Sequence, residues 1–342
     1  MQYLPVIGIT MGDPAGVGPE IICKSLLKKD IYDQCKPLVV GDARVFEAIV
    51  KRLGFPVQIH AIHDVKQARF ESGTLDVLDL NNYEGEIVYG KVSSAAGLAA
   101  FESIEKLIEL AMKKQVDATV TAPINKEAIH MAGKHFSGHT EIYAHYTGTK
   151  KYAMLLVHEN LRVIHVTTHV SLRQACDLVK KDRILEVIQL LYDACLSFGI
   201  SYPRIGVAGL NPHSSDNGLF GWEEEKEISP AIEEAKKKGF DVEGPVPSDT
   251  LFAKAIGGQY DGCVAMYHDQ GHIPFKMTGF KWNETKKRMD VNGVNITLGL
   301  PIIRVSVDHG TAFDVAGKGI ASEEAMKLSI DYAVKMAMNK DL

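Results

Sequence analysis

Histidine side chains end several of the apolar runs in this sequence. His169, His213 and His268 each follow a short apolar stretch, and stretches of this length predict buried strands. Because the carboxyl ends of parallel strands lie side by side, the three imidazoles could converge. Imidazole is a common ligand for zinc, manganese, iron and nickel, and three protein ligands with an open position form a catalytic metal site. The alternative is three unrelated histidines in a chain that contains 13.

The stretch around His268 carries further reactive groups. The apolar run Cys263–Met266 leads into His268 and Asp269, and Lys276 follows eight residues after the histidine. A histidine and an aspartate can bind a metal or move protons, and a lysine can bind an anion. The intervening glycine and proline predict a turn, so a strand followed by a polar turn is the alternative interpretation.

Two other stretches suit an anionic ligand. Residues 11–20 (Met-Gly-Asp-Pro-Ala-Gly-Val-Gly-Pro-Glu) lie between a predicted strand and a predicted helix, and a helix start offers free N–H groups to an anion. This loop matches neither G-x-G-x-x-G nor the P-loop, and a tight structural turn is the alternative. Arg304 interrupts an apolar run, where a charge is costly unless it pairs with an anion.

Strands and helices must alternate to position these groups. Short apolar runs are separated by helical patterns, such as 97–112, where apolar residues recur at helical spacing. This alternation predicts an α/β fold with a largely parallel sheet. Since the chain shows no internal repeat and no low-complexity linker, we expect interleaved domains, with both termini in one of them.

Composition narrows the possible classes of protein. At 342 residues the chain predicts two domains. The net charge of -5 gives no basic surface for nucleic acid, and the basic run 286–288 is expected to be a solvated loop. No apolar run is long enough to span a bilayer, and residues 1–10 lack signal-peptide features, so a cytoplasmic location is expected. Five widely spaced cysteines without a C-x-x-C argue against disulfides and thiolate zinc sites.

Several motifs along residues 6–330 occur in the same order as in a known family. They are Gly12–Glu20, Gly138–Glu141, Thr167–His169, Asn211–His213, Pro247–Thr250, Tyr267–Gly271, Gly293–Pro301 and Ser306–Ala312. Each motif is modest, but the ordered set resembles the 4-hydroxythreonine-4-phosphate dehydrogenase (PdxA) family.

The resemblance implies a two-domain α/β fold like that of the isocitrate and isopropylmalate dehydrogenases, with mostly parallel sheets and the active site in the interdomain cleft. Residues 12–20 are similar to the G-D-G-I-G-P-E loop of those enzymes, and residues 309–319 to their adenosine-binding loop. Residues 1–129 and 281–342 would then form the dinucleotide-binding domain. Residues 130–280 would form the metal, substrate and dimerisation domain.

The family's site residues can be assigned to matching positions of this chain. His169, His213 and His268 would bind one divalent metal ion in a homodimer whose subunits share the site, with Zn²⁺ expected and Mn²⁺, Mg²⁺ or Co²⁺ as alternatives. The substrate contacts would be His139, Thr140, Lys276, Asn295 and Arg304. Asp249 would be the proton shuttle, with Lys276 also catalytic. NAD would contact Gly12, Gly16, His309, Gly310 and Asp314.

The implied reaction is oxidation of the C3 hydroxyl of a 4-phosphorylated four-carbon hydroxy acid by NAD, followed by decarboxylation. Three departures favour a branch that acts on D-threonate or D-erythronate 4-phosphate and yields dihydroxyacetone phosphate and CO₂. These departures are His272, the segment Lys281–Asp290 and the sequence of residues 313–318.

Other functions remain open from the sequence. The vitamin-pathway substrate, 4-hydroxy-L-threonine 4-phosphate, carries an amine at C2 in place of the hydroxyl, and the stereochemistry at C2 is also left open. A metal-dependent phosphatase or hydrolase would need no NAD, which the loop at 309–319 argues against. A non-catalytic sugar-phosphate-binding protein would not need three intact histidines. The C2 substituent, the metal and the choice between NAD and NADP are left open.

Overall fold

Strands and helices alternate along the chain, which confirms the predicted α/β class. The computed structural model describes residues 3–284, 288–291 and 293–340. Contacts divide the chain into two units, the first comprising Met1–Lys150 and Leu300–Met338, and the second comprising Lys151–Gly299 and Asn339–Leu342. No helix in the described ranges has the length and apolar character that a bilayer span requires.

The strands are numbered in chain order. They are β1 (Val6–Thr10), β2 (Lys36–Gly41), β3 (Gln58–Ile62), β4 (Thr74–Asp79), β5 (Ala118–Thr121), β6 (Ala153–His158), β7 (Leu161–His165), β8 (Arg204–Ala208), β9 (Asp241–Val246), β10 (Gly262–Ala265), β11 (Phe280–Asn283), β12 (Arg288–Val291), β13 (Val294–Leu298) and β14 (Ile303–Val307).

The α-helices are α1 (Gly18–Leu26), α2 (Lys29–Gln34), α3 (Ala43–Leu53), α4 (Ser94–Met112), α5 (Lys126–Met131), α6 (His139–Thr147), α7 (Leu172–Leu178), α8 (Lys181–Ser197), α9 (Ser229–Lys237), α10 (Ser248–Ile256), α11 (His268–Gly279) and α12 (Glu324–Met338). A π-helical turn, Glu224–Ile228, precedes α9.

The first unit contains a parallel sheet in the order β3-β4-β2-β1-β5-β14. β1, β5 and β14 are neighbours, with Thr10 opposite Thr121 and Thr121 opposite Ser306. These strands are almost wholly buried, as expected for parallel strands that helices cover on both faces. Their carboxyl ends therefore open together, and the loops that follow them lie at one edge.

The second unit contains strands in the order β13-β6-β7-β10-β8-β9. β13, β6 and β7 are antiparallel neighbours, whereas β7, β10, β8 and β9 run parallel. The predicted metal ligands follow three adjacent parallel strands, since His169 comes after β7, His268 after β10 and His213 after β8. The argument from strand ends is thus confirmed at the level of topology.

Two local predictions at the site were wrong. The turn predicted after Cys263–Met266 is helix α11, which contains Pro274. Burial of Gln270 and Phe275 holds this segment helical, so tertiary packing outweighs the helix-breaking tendency of proline. The glycines near His139 favour a loop, but His139 is the first residue of α6. At the segment Lys281–Asp290, β11 and β12 pair as antiparallel strands.

The bounds of the two units differ from the predicted domain bounds. Residues 130–150 lie in the first unit, because Phe136 and Tyr146 pack their rings against Phe101 of α4. Residues 281–299 lie in the second unit, because β13 pairs with β6. The roles assigned to the domains, and the placement of the active site in a cleft, stay predictions.

Candidate active site

Two of the three predicted metal ligands lie together in the second unit. The rings of His169 and His268 have their centroids 5.9 Å apart. β7 and β10 set this spacing, since the Val166 N–H donates to the Ala265 carbonyl (2.8 Å) and the Thr167 hydroxyl to the Met266 carbonyl (2.9 Å). His268 also contacts the Asp269 carboxylate at 2.8 Å through Nδ1.

His213 begins an unusual turn after β8. Residues 213–217 all have positive φ, between 47° and 68°, although none of them is glycine. A left-handed conformation is costly for such residues and persists only where surrounding contacts hold it. Buried Glu224 anchors the residues just before this turn, accepting hydrogen bonds from the backbone N–H groups of Leu210 and Asn211 and from the Asn211 side chain.

The donor chemistry fits a divalent ion, but the described residues of one chain do not bring three ligands together. The described ranges contain no group of three or more His, Cys, Asp or Glu side chains placed to hold a metal. His169 and His268 offer a pair of nitrogen donors at one sheet edge, and exposed His213 follows the neighbouring strand. A further donor must approach this pair to complete a site.

Two buried imidazoles lie behind His268. His272 stacks on His268 with ring centroids 3.7 Å apart and an interplanar angle of 13°, and His165 lies 4.7 Å beyond His272. Burial and then the neighbouring imidazole lower the pKa of His272 to about 4 and that of His165 to about 3. Both are therefore neutral near pH 7. Sequence reasoning noticed His272 but missed His165, whose only signal is a histidine within an apolar strand.

Helix α11 also carries Lys276, which is exposed and lies 5.0 Å from the centre of the Phe280 ring. Asp249 is exposed in the first turn of α10, and Pro247 is the N-cap of this helix. Asn295 lies on β13, opposite Leu156 of β6. These predicted site residues and the histidine pair all belong to the second unit.

The first unit contains a buried cation. Arg304 lies in the middle of β14, is 2% exposed, and donates from Nη2 to the Thr121 hydroxyl at 2.8 Å. Its guanidinium lies 5.7 Å from the centre of the Tyr143 ring. Burial lowers the pKa of Arg304 to about 10, so the group still carries its charge near pH 7. This confirms the buried position expected from the sequence.

His139 completes a polar cluster with Arg304. Its Nε2 is buried and has no hydrogen-bond partner in the described part of the chain. Burial and then the charges of Arg304 and Lys126 hold the pKa of His139 well below its usual range, so the ring is neutral. Thr140 is the next residue of α6. A buried cation beside a neutral imidazole is suited to an anion with hydroxyl or ester oxygens.

The two loops predicted to bind NAD lie together in the first unit. The Val17 N–H donates to the Thr311 carbonyl at 3.0 Å, and a Cβ atom on Gly16 would lie 3.0 Å from Thr311 Cβ. Gly12 has φ of +74°, and a Cβ atom there would lie 2.7 Å from the Pro123 carbonyl oxygen. Both glycines therefore allow close contact between neighbouring loops, as well as the predicted approach of a ligand.

Glu20 and Lys24 hold the far end of the second loop. Glu20 is fully buried and accepts from the Gly319 and Ala321 N–H groups, while Lys24 donates to the carbonyls of the same two residues. His309 contacts the Gly310 carbonyl oxygen through Nδ1, and burial lowers its pKa. The carbonyl of Asp314 accepts from Lys318.

Comparison with known proteins decides the family. The family model described as "Pyridoxal phosphate biosynthetic protein PdxA" matches residues 33–333. The chain belongs to the PdxA family. A relative from Cupriavidus necator named D-threonate 4-phosphate dehydrogenase is 48% identical over 99% of both chains.

Solved structures of the PdxA family resemble the whole chain. A 4-hydroxythreonine-4-phosphate dehydrogenase from Burkholderia phymatum is 46% identical, covers 98% of this chain and 99% of its own, and has a TM-score of 0.83. The enzyme of that name from Klebsiella pneumoniae is 44% identical, covers 98% of both chains and has a TM-score of 0.85. The chain is therefore an oxidoreductase of the dehydrogenase type.

Proposed function

We propose that this PdxA-family chain is an NAD-dependent decarboxylating dehydrogenase of D-threonate or D-erythronate 4-phosphate, with dihydroxyacetone phosphate and CO₂ as products. The observation that carries the proposal is the buried Arg304–His139 cluster, which supplies a charged and a neutral group for an anionic, hydroxylated substrate. The name of the 48% identical relative supports the choice of substrate class.

The chain's own residues would bind and orient the substrate. Arg304 and Lys276 would neutralise its phosphate and carboxylate, and His139, Thr140 and Asn295 would hold its hydroxyl groups. Asp249 would take the proton of the C3 hydroxyl as hydride leaves C3. The C1–C2 bond of the β-keto acid would then break, releasing CO₂, and C2 would be protonated. Bound NAD supplies hydride acceptance, and a divalent ion lowers the hydroxyl pKa and stabilises negative charge on oxygen.

The cofactor assignments are part of the same proposal. His169, His213 and His268 would hold a divalent ion, Zn²⁺ first among the candidates, in a site shared between the subunits of a homodimer. The close pair of His169 and His268 supports it, as does the lack of a complete ligand set in the described part of one chain. NAD would lie against Gly12, Gly16, His309, Gly310 and Asp314.

An apolar groove supports the homodimer. Helices α10 and α11 line a cavity of 600 Å³ that Asp249 and Asp269 also border. Three of its apolar side chains are exposed, Ile256 by 47%, Ile273 by 58% and Met277 by 77%. A second subunit would cover this patch beside the incomplete metal site. Replacing Met277 with glutamate should give monomers in light-scattering chromatography, and a dimer of unchanged strength would contradict this interface.

A parallel assay tests the reaction. D-threonate, D-erythronate and 4-hydroxy-L-threonine 4-phosphates would each be supplied with NAD or NADP, and cofactor reduction and CO₂ release would be followed. We expect the highest kcat/KM with a hydroxyl at C2, loss of turnover on chelation and recovery on adding Zn²⁺. His213→Ala should abolish turnover while leaving the fold intact. Phosphate release without NAD would indicate the hydrolase instead.

The vitamin-pathway substrate is the second candidate. Solved relatives 43–46% identical to this chain are described as 4-hydroxythreonine-4-phosphate dehydrogenases, one of them as putative. Preferred turnover of 4-hydroxy-L-threonine 4-phosphate in the parallel assay would establish this function and exclude the preference for threonate.

A further inference from the structure

The side chain of Gln270 uses both ends of its amide within the second unit. It is 8% exposed, in the first turn of α11. Its Oε1 accepts from the Met266 N–H at 2.5 Å, and its Nε2 donates to the Gly209 carbonyl at 2.7 Å and to the Ser248 hydroxyl at 2.8 Å. The Ser248 hydroxyl donates in turn to the Gly209 carbonyl at 3.1 Å.

These three partners belong to three different segments. Met266 follows β10 and lies two residues before His268. Gly209 follows β8 and leads to His213 through Asn211. Ser248 opens α10 and precedes Asp249. One buried amide therefore ties together the three segments that carry two predicted metal ligands and the predicted proton shuttle.

We propose that Gln270 is a positioning residue that sets the spacing between the ends of β8, β10 and α10. The proposal rests on the function proposed above. Gln270 itself touches neither metal nor substrate; it acts through the backbones leading to His213, His268 and Asp249. Loss of Gln270 would let these segments shift independently and would misplace the histidine donors.

The hydrogen bonds of Gln270 to Met266, Gly209 and Ser248 require an amide side chain. The Met266 N–H needs an acceptor, whereas the Gly209 carbonyl and the Ser248 hydroxyl both accept from Nε2, and an amide supplies both functions at this length. A glutamate retains the acceptor but loses the donor to Gly209. A methionine has similar length and supplies neither. The two substitutions therefore remove these hydrogen bonds in steps, while the side chain keeps a similar volume.

The experiment measures Zn²⁺ affinity of the full-length protein by competition with a chromophoric chelator, together with kcat, KM and unfolding by urea. Gln270→Met should bind Zn²⁺ about 10- to 100-fold more weakly, with a similar fall in kcat and little change in KM. Gln270→Glu and Ser248→Ala should each show a smaller loss. Val187→Ala, a fully buried change in α8, is the control for lost stability and should keep wild-type Zn²⁺ affinity.

The outcomes separate this proposal from the proposed function. Weaker Zn²⁺ binding in the Gln270 variants, absent from the Val187 control of equal or lower stability, supports the positioning role. If Gln270→Met retains wild-type affinity and kcat, the role is purely structural and the proposal fails. If Gln270→Met does not fold, Gln270→Glu gives the same test. If the wild-type protein binds no Zn²⁺, the metal assignment fails and the positioning proposal falls with it.

Discussion

A guanidinium buried in the middle of a parallel strand needs a reason, because an isolated buried charge is costly. Arg304 has the Thr121 hydroxyl and the Tyr143 ring beside it. The guanidinium is suited to bind an anionic group of the substrate through charge-assisted hydrogen bonds.

Arg304→Met should therefore lower kcat/KM at least about 30-fold, a loss of roughly 2 kcal/mol. Steady-state kinetics measures this loss, and urea unfolding shows whether the variant keeps its fold. Arg204→Met is the control, since Arg204 is an exposed arginine paired with Asp261. An equal loss of kcat/KM in both variants would contradict a specific role for Arg304.

Asp13 gives a pH dependence of known sign. Burial raises the pKa of Asp13 from 3.8 to about 6, and its Oδ2 has no partner in the described ranges. Between pH 3.8 and about 6 the Asp13 carboxyl is therefore protonated in the folded protein but ionised in the unfolded chain. The stability that this protonation contributes is lost as the pH rises through about 6. Asp13→Asn should stabilise the protein by about 1 to 3 kcal/mol at pH 7.5 and much less near pH 4.5.

Asp42→Asn is a control variant for which we expect the opposite effect on stability. Burial raises the pKa of Asp42, but hydrogen bonds from Arg44 and the Tyr83 N–H outweigh it and lower the pKa overall. Its substitution should lower stability at pH 7.5. Urea unfolding at both pH values would measure the two variants. A destabilised Asp13→Asn at pH 7.5 would show that the carboxylate has a favourable partner.

Gly271 lets α11 approach β7. A Cβ atom there would lie 2.4 Å from His165 Nε2 and 2.7 Å from Val163 Cγ1. Gly271→Ala should lower the free energy of unfolding by about 1 to 3 kcal/mol, as overpacking does. In a double-mutant cycle, His165→Ala should recover part of this loss, because the imidazole is the nearer contact. Additive effects would mean that the two sites are independent.

At the scale of single elements, the turn at residues 213–217 depends on a neighbouring helix. Its backbone is left-handed throughout, and nothing in the residue types His-Ser-Ser-Asp-Asn compels that shape. The hydrogen bonds of Glu224 to Leu210 and Asn211 fix the entry to the turn. A residue in a separate helical segment therefore holds the backbone that leads to His213.

Glu224→Gln should loosen this turn. One carboxylate oxygen would be replaced by an NH₂ group, which would face an N–H donor and find no acceptor. A buried group left unsatisfied in this way costs about 1 to 3 kcal/mol. Hydrogen exchange in peptides covering 210–218 should rise, and Zn²⁺ affinity should fall. Glu233→Gln on the surface of α9, where the carboxylate lies 3.6 Å from the Lys236 ammonium group, is the control. Unchanged exchange at 210–218 would exclude the role of Glu224.

Sequence reasoning recovered what depends on local pattern. The alternation of strands, the histidines at three strand ends and the buried Arg304 follow from periodicity and charge. It failed where tertiary packing decides, as in the helix α11 containing Pro274, because propensity is a weak guide against burial. It also missed His165 and the support of Glu224, since sequence spacing does not show which distant side chains touch.

At the scale of the whole molecule, we propose that two copies of the chain share the metal site. Subunits that share ligands can complement one another. If one histidine comes from the partner, mixed dimers of two inactive variants contain one intact site when the two changes affect ligands from different subunits.

Pairwise mixing of His169→Ala, His213→Ala and His268→Ala subunits, refolded together, should identify the shared ligand. Two of the three mixtures should recover about a quarter of wild-type activity, and the histidine common to both is the one supplied by the partner. Each variant refolded alone is the control and should stay inactive. Recovery in none of the mixtures would place all three ligands within one subunit.

The path of the chain has a consequence for synthesis on the ribosome. Until residues beyond 300 leave the ribosome, the first unit lacks β14, the strand that pairs with β5. It also lacks Gly319 and Ala321, whose N–H groups donate to Glu20. At ordinary translation rates this leaves β5 as an open sheet edge for roughly 10 to 40 seconds. The second unit, whose strands lie between residues 153 and 298, can fold meanwhile. The nascent amino-terminal half is therefore the part of this protein most in need of chaperone protection.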